Sequence, residues 1–327
     1  MKIGVIVPLG EDEELGAPFP YAHIRAMALQ AEVAGFDSVW MPDHFLFRFP
    51  NQPAFGVWEC WSILAGLAEA TEKVELGPLV MCLPFRNPAL LAKMAITLDE
   101  VSNGRLILGL GAGWHTPEFE ALGVPFEHRV DQFEEGMRII SPLLRRGEVD
   151  FQGTHFSATN SALLPRGPRP GGPPVLIAAR SPRMLRLTAQ YADQWNWAWS
   201  GRPTLFLQKH AELLRACHAV GRDPATIAIT VGLYITYPEY LTQAEIEQLP
   251  ASRSDPDRSL RGTPEEIAAG LLAYTELGVD HLICELTPNT PETLAELSKA
   301  LRLVRGTPSS PGPFSQYGRR GTGQVTR

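Results

Sequence analysis

Asp43 and His44 stand side by side in Trp40-Met-Pro-Asp43-His44, directly after a short apolar run. A carboxylate beside an imidazole orients the ring and makes it more basic, so the pair reads as a general acid/base unit. The alternative is a turn-capping Asp next to a surface His. Further on, Gly109-Leu-Gly-Ala-Gly-Trp-His115 follows another apolar run. Glycines at such a strand end let backbone come close to a flat ligand, which places Gly111 and Ala112 beside one. Pro117 and a loop follow instead of a helix, so this is not a dinucleotide fingerprint. Trp114 is a stacking wall or a lid over the core. In Ala178-Ala179-Arg180-Ser181-Pro182-Arg183, Ser181 suits a helix N-cap and Pro182 the first helical position. The N–H groups of that helix start, with Arg180 and Arg183, read as a seat for phosphate; the alternative is an ordinary cap with solvated arginines. Thr263-Pro-Glu-Glu266 is by contrast a capping box whose acid repels phosphate.

Other chemistries lack their residues. Only five of the 29 basic residues are Lys, and each precedes a strand or lies within a helix, so none is placed for a Schiff base. Pro8-Leu9-Gly10 ends the first strand without a His-x-His, and no other pair has ligand spacing, so no metal is expected. The Gly-Ala-Gly-Trp end of the fourth strand offers no carboxylate for a retaining glycosidase. A site without a nucleophile suits chemistry carried by a bound cofactor.

Eight apolar, β-branched runs could position these groups: Ile3–Val7, Ser38–Met41, Val74–Met81, Leu106–Leu110, Pro174–Ala178, Gln194–Ala198, Ile227–Ile235 and His281–Cys284. Helical periodicity lies between and after them, near 20–34, 57–71, 88–102, 131–146, 182–192, 203–219, 264–277 and 291–304. Eight strand–helix units predict a (β/α)8 TIM barrel, where an open sheet would stop near six strands. Gly77-Pro78 inside the third run suggests a bend or bulge. Ala34-Gly-Phe-Asp-Ser-Val-Trp40 and Leu277-Gly-Val-Asp-His-Leu-Ile283 share one layout and read as helix-to-strand turns, so Asp37 and Asp280 are structural. Connections 111–130 after the fourth strand, 147–173 after the fourth helix and 236–262 after the seventh strand exceed what a barrel needs, and insertion loops that follow strands, at the C-terminal face, cover a site. Trp195, Trp197 and Trp199 alternate, which puts all three on one side as packing. His23, His128, His155, His210, His218 and His281 receive no role.

The net charge of -7 argues against a nucleic-acid partner. Four scattered cysteines, an acidic N-terminus unlike a signal peptide and the absence of a long apolar run point to a cytoplasmic chain with no membrane contact. Residues 1–305 read as one barrel domain and 306–327 as a disordered tail.

The stretches AEVAGFDSVWMPDHF, LGPLVMCLPFRNPALLAKMAITLDEVSNGRLILGLGAGWHTPEFEALGVPFEHR and GTPEEIAAGLLAYTELGVDHLI resemble the luciferase-like monooxygenase superfamily, flavin- or deazaflavin-dependent barrels. The resemblance covers most of residues 1–305. It implies that His44, with Asp43 beside it, lies near the reactive face of a flavin. It also implies a non-prolyl cis peptide at Leu79-Val80 behind the ring and a phosphate grip at Arg180, Ser181 and Arg183, with Met81 and Ala179 beside them in the cofactor-binding set. Gly111, Ala112 and Trp114 complete the cofactor-binding set. Many deazaflavin members carry a Glu after the Gly run, where this chain has Trp114. The wording of the central stretch is closer to members using coenzyme F420, with hydride transfer to or from a small organic substrate. The alternatives are an FMN-dependent monooxygenase and a non-catalytic flavin-binding barrel. Relatives are commonly homodimers through the second and third helices, where Trp58, Trp61, Leu64 and Leu67 offer apolar surface.

Overall fold

In the computed structural model, which describes residues 1–12, 17–199 and 203–306, the apolar runs become the staves of a barrel. Nine parallel strands form it: β1 (Lys2–Ile6), β2 (Ser38–Met41), β3 (Glu75–Pro78), β4 (Met81–Cys82), β5 (Leu108–Gly111), β6 (Val175–Ala178), β7 (Gln194–Trp197), β8 (Ala228–Thr236) and β9 (His281–Thr287). Their order around the sheet is β3-β2-β1-β9-β8-β7-β6-β5-β4, and a parallel bridge between Leu76 and Leu106 nearly closes the ring. The predicted third strand is therefore two pieces. β3 pairs with β2, and β4 pairs with β5, so one stave changes neighbour midway. Gly77 and Pro78 sit at that break, and the Leu79–Val80 peptide bond between the pieces is cis.

The helices are α1 (Tyr21–Ala34), α2 (Cys60–Ala70), α3 (Pro88–Val101), α4 (Thr116–Leu122), α5 (Arg129–Arg146), α6 (Pro182–Tyr191), α7 (Pro203–Val220), α8 (Gln243–Gln248), α9 (Ala251–Ser254), α10 (Pro264–Glu276) and α11 (Pro291–Gly306). The short α4, α8 and α9 lie in two of the long connections. The third connection carries an antiparallel hairpin, Glu148–Gln152 with Ser157–Ala162. All three had read as bare loops, because helices of four to seven residues and a polar hairpin leave too little apolar periodicity to register. Beyond Gly306 the tail lies outside the described residues.

Apolar burial divides into two regions. A large cluster fills the space between strands and helices. A small one, built on Ile6, Trp40, Ile107, Leu176 and Ile283, plugs the barrel interior, with Leu79, Val80 and Trp199 packed on it. At the N-terminal end the two repeated turns do the same work. Gly35 and Gly278 both take positive φ (88° and 80°), which an L side chain rarely adopts. The Asp two residues on then accepts a backbone N–H from an adjacent stave: Ile3 N to Asp37 Oδ2 at 2.7 Å, and Ile229 N to Asp280 Oδ2 at 2.7 Å.

His281, given no role from the sequence, is buried on β9. Its Nε2 lies 2.7 Å from Ser38 Oγ, which also accepts Trp40 Nε1–H at 2.6 Å. Burial, with the positive charges of Lys2 and the N-terminus, pushes its pKa down to about 3. The unfolded ring takes up a proton as pH falls through about 6.5, whereas the folded one resists until far lower pH. The unfolded state thus binds more protons in that window, and stability is lost on acidification by up to about 1.4 kcal/mol per pH unit. Urea midpoints at pH 7 and 5 check this. His281→Asn should show the shallower pH dependence, and equal slopes would dismiss the assignment.

Candidate active site

At the mouth of the barrel, β2 delivers Asp43 and His44 into a loop, and the two side chains part company there. Asp43 is 3 % exposed and binds Arg86 through both oxygens, at 2.7 and 2.8 Å, while Cys82 N donates to it at 2.9 Å. Arg86 also reaches Glu59, the N-cap of α2, at 3.1 Å. Asp43 is thus spent on tying its loop to β4 and α2. It does not orient His44.

Glu118 does. It stands on α4, is nearly fully buried, and its Oε2 lies 2.8 Å from His44 Nδ1. Its Oε1 accepts Phe45 N–H at 2.5 Å and Leu46 N–H at 3.4 Å. Burial works to raise the Glu118 pKa, but the hydrogen bond and charge of His44, with those two N–H donors, hold it below the usual carboxylate range. An ionised Glu118 makes Nδ1 of His44 the protonated nitrogen and leaves Nε2 to exchange a proton with a ligand. His115 accepts Arg48 N–H at its own Nε2 (3.1 Å), and burial keeps its pKa low, so it packs this loop as a neutral ring. Glu118 went unread because Thr116-Pro117-Glu118 looks like an ordinary helix start with acid in its first turn. Trp114 is largely exposed, with its ring edge-on to His44 at 5.6 Å. It belongs to the rim and is not a core lid.

The glycine run serves a different purpose from the one its spacing suggested. A Cβ on Gly109 would fall 2.0 Å from the Pro78 carbonyl oxygen, and one on Gly111 would fall 2.6 Å from Val80 Cγ2. These glycines admit the Pro78–Val80 segment against β5, and that segment in turn presents half-buried Leu79 and Val80 above the inner cluster. Met81 is fully buried in the outer core, and Ala112 packs against the same layer, so their side chains do not line the mouth.

Across the mouth, Ser181 caps α6 with Pro182 at its start, as the sequence reads. Arg180 lies over the Trp197 ring at 4.8 Å. Arg183 turns away to Asp131 (2.6 Å) and Glu134 (2.6 Å), and the Ala179 carbonyl accepts Trp195 Nε1–H at 3.0 Å. Trp195 packs in the outer layer, whereas Trp199 lies on the inner cluster and stacks on Tyr234 at 4.6 Å. The expected common side therefore holds only to Trp197, because β7 ends there. Over Tyr234 sits Arg253 of α9, ion-paired with Glu285 of β9.

These groups suit a flat, partly polar ring with an anionic tail. Leu79, Val80 and Trp199 give it an apolar bed. Asn289, whose Nδ2 donates to the Ile6 carbonyl, has a buried Oδ1 without a partner among the described residues, an acceptor that a bound ring's N–H could fill. Arg180 and the start of α6 would receive the tail.

A family model described as luciferase-like monooxygenase matches residues 1–252. Pyrimidine monooxygenase RutA of Klebsiella pneumoniae subsp. pneumoniae is 28 % identical over 296 residues, covering 84 % of this chain and 76 % of that protein. An F420-dependent secondary alcohol dehydrogenase, solved with an F420–acetone adduct, superposes with a TM-score of 0.76 at 20 % identity, covering 93 % of this chain and 99 % of the other. Riboflavin lyase RcaE, solved with modified FMN and riboflavin, gives a TM-score of 0.74 at 16 % identity, covering 93 % and 91 %. The last two likenesses establish the barrel fold.

Proposed function

The chain belongs to the luciferase-like monooxygenase family, and on that premise we propose that it is an oxidoreductase passing a hydride between a small organic substrate and bound coenzyme F420. The observation that carries this reading is the Glu118–His44 pair at 2.8 Å, a charge-backed imidazole at the mouth of an apolar barrel with no nucleophile beside it. When bound, the deazaflavin supplies the carbon that takes or gives the hydride. The chain's own residues do the rest. Leu79 and Val80 support the ring, and Arg180 with the start of α6 holds its phosphate. Arg183, engaged with two acids, leaves that task to Arg180. His44 Nε2 takes a proton from a substrate hydroxyl as its hydride leaves, or returns one to a carbonyl in reverse. Glu118 stabilises the imidazolium that forms. Phe47 and Trp114 at the rim keep water from the reacting carbon.

The likeness to a pyrimidine monooxygenase favours a second reading, in which reduced FMN and oxygen are the reactants. Offering the chain each cofactor separately decides between them. Deazaflavin-coupled oxidation of small alcohols without oxygen uptake is the expected result. Oxygen consumption with reduced FMN, and no turnover with F420, would replace the first reading with the second.

We also propose a homodimer through α2 and α3. Trp61, Leu64 and Leu67 are buried within one chain, which removes three of the four residues first counted as its surface. Trp58, Leu90 and Val101 remain exposed, and Val101 lines a groove with Ala65, Met94 and Leu98. A monomeric mass by light scattering would dismiss the dimer.

A further inference from the structure

Beside the start of α6, the hairpin tip meets the start of α5 and brings together two histidines to which the sequence assigned nothing. We propose that His128, Asp131 and His155 form a surface site for a divalent transition metal of borderline softness such as Zn2+, which clips the hairpin to α5. One ligand atom from each residue lies within 4.8 Å of the other two. His128 Nδ1 is 3.3 Å from Asp131 Oδ2, and the two imidazole rings are 5.4 Å apart, centre to centre. A metal bound at about 2.1 Å to each ligand brings such atoms to roughly 3.4 Å apart, which rotation of the exposed His128 side chain supplies.

Independent contacts fix the parts in place. His128 and Asp131 are three residues apart at the start of one helix, so they share a face. His155 comes from a separate element, and Glu135, one turn along α5, holds it there. Glu135 accepts three successive backbone N–H groups of the tip, from Thr154, His155 and Phe156, at 2.8, 2.8 and 2.9 Å. Arg183 occupies Asp131 Oδ1 at 2.6 Å, so Oδ2 is the oxygen left facing the histidines. Two imidazoles and one carboxylate select Zn2+, Ni2+ or Cu2+ over Mg2+ and Ca2+, which require mostly oxygen ligands. Water would complete the shell.

The test uses the whole chain, stripped with chelator and titrated with Zn2+ alone by calorimetry, followed by thermal melting with and without the metal. One saturable site is expected, with a melting temperature raised by Zn2+, because a ligand that binds only the folded state stabilises it. His155→Gln should abolish both effects while the far-UV spectrum stays that of the parent. His128→Gln serves as the second variant should the first fold poorly. Glu135→Gln, which loosens the tip without removing a ligand, should weaken binding by roughly tenfold. Excess Mg2+ should not compete. No saturable binding, or binding equally tight in both histidine variants, would overturn the site.

Discussion

Replacing His44 by Ala is expected to lower the turnover number by about 10²–10⁴, with cofactor affinity near that of the parent and a melting temperature only modestly lower. The ring is only partly buried, and without it the buried Glu118 carboxylate still accepts the Phe45 and Leu46 N–H groups, so the fold should survive with a modest loss of stability. The ring's single strong polar contact is Glu118, which fixes its orientation and leaves Nε2 free for a ligand. Glu118→Gln keeps most of the shape but removes the negative charge that stabilises the imidazolium, so a smaller loss in the same direction is expected. Single-turnover rates, measured after cofactor binding has been confirmed separately, distinguish a lost proton-transfer step from a lost site. Full turnover in His44→Ala with the cofactor tightly held would remove His44 from the chemistry.

Asp43→Ala should act on stability, at a cost of about 3–5 kcal/mol. Removing a bidentate partner leaves the mostly buried Arg86 guanidinium with only Glu59 at its edge, and leaves Cys82 N–H without its acceptor. Against a typical total of about 5–15 kcal/mol, that is a large fraction. Urea unfolding is the direct measurement: the midpoint should fall while the slope holds. Combining Asp43→Ala with Arg86→Ala should cost less than the sum of the two, since the second change removes the stranded charge. A loss below about 1 kcal/mol would mean that the pair does not anchor the loop.

The adjacent residues Asp43 and His44 show where sequence reasoning works and where it stops. Adjacency in the chain suggested that the carboxylate serves the imidazole. In the loop after β2, however, the two neighbouring side chains leave in different directions. Asp43 accordingly finds Arg86 inside, and His44 finds Glu118, which lies 74 positions away along the chain. The glycines of residues 109–113 tell the same story. Their spacing announced a close approach of something, but only the folded chain reveals that Pro78 and Val80 approach Gly109 and Gly111.

What the sequence determined by itself is the architecture. Eight apolar runs of strand length, separated by helical periodicity and by Gly-x-Asp turns, have few ways to bury their apolar faces, and a parallel barrel is the solution that needs no edge strand. Local signals also placed the caps at Ser181 and Thr263, because a cap depends on residues within one turn. Tertiary structure alone decided the partners of the charged groups. Hydrogen bonds and ion pairs form between whichever groups the closed barrel brings within about 3 Å, and nothing in a linear spacing encodes that distance. So His44 was legible from the chain, and Glu118, Arg86 and the pairing of His281 with Ser38 were not.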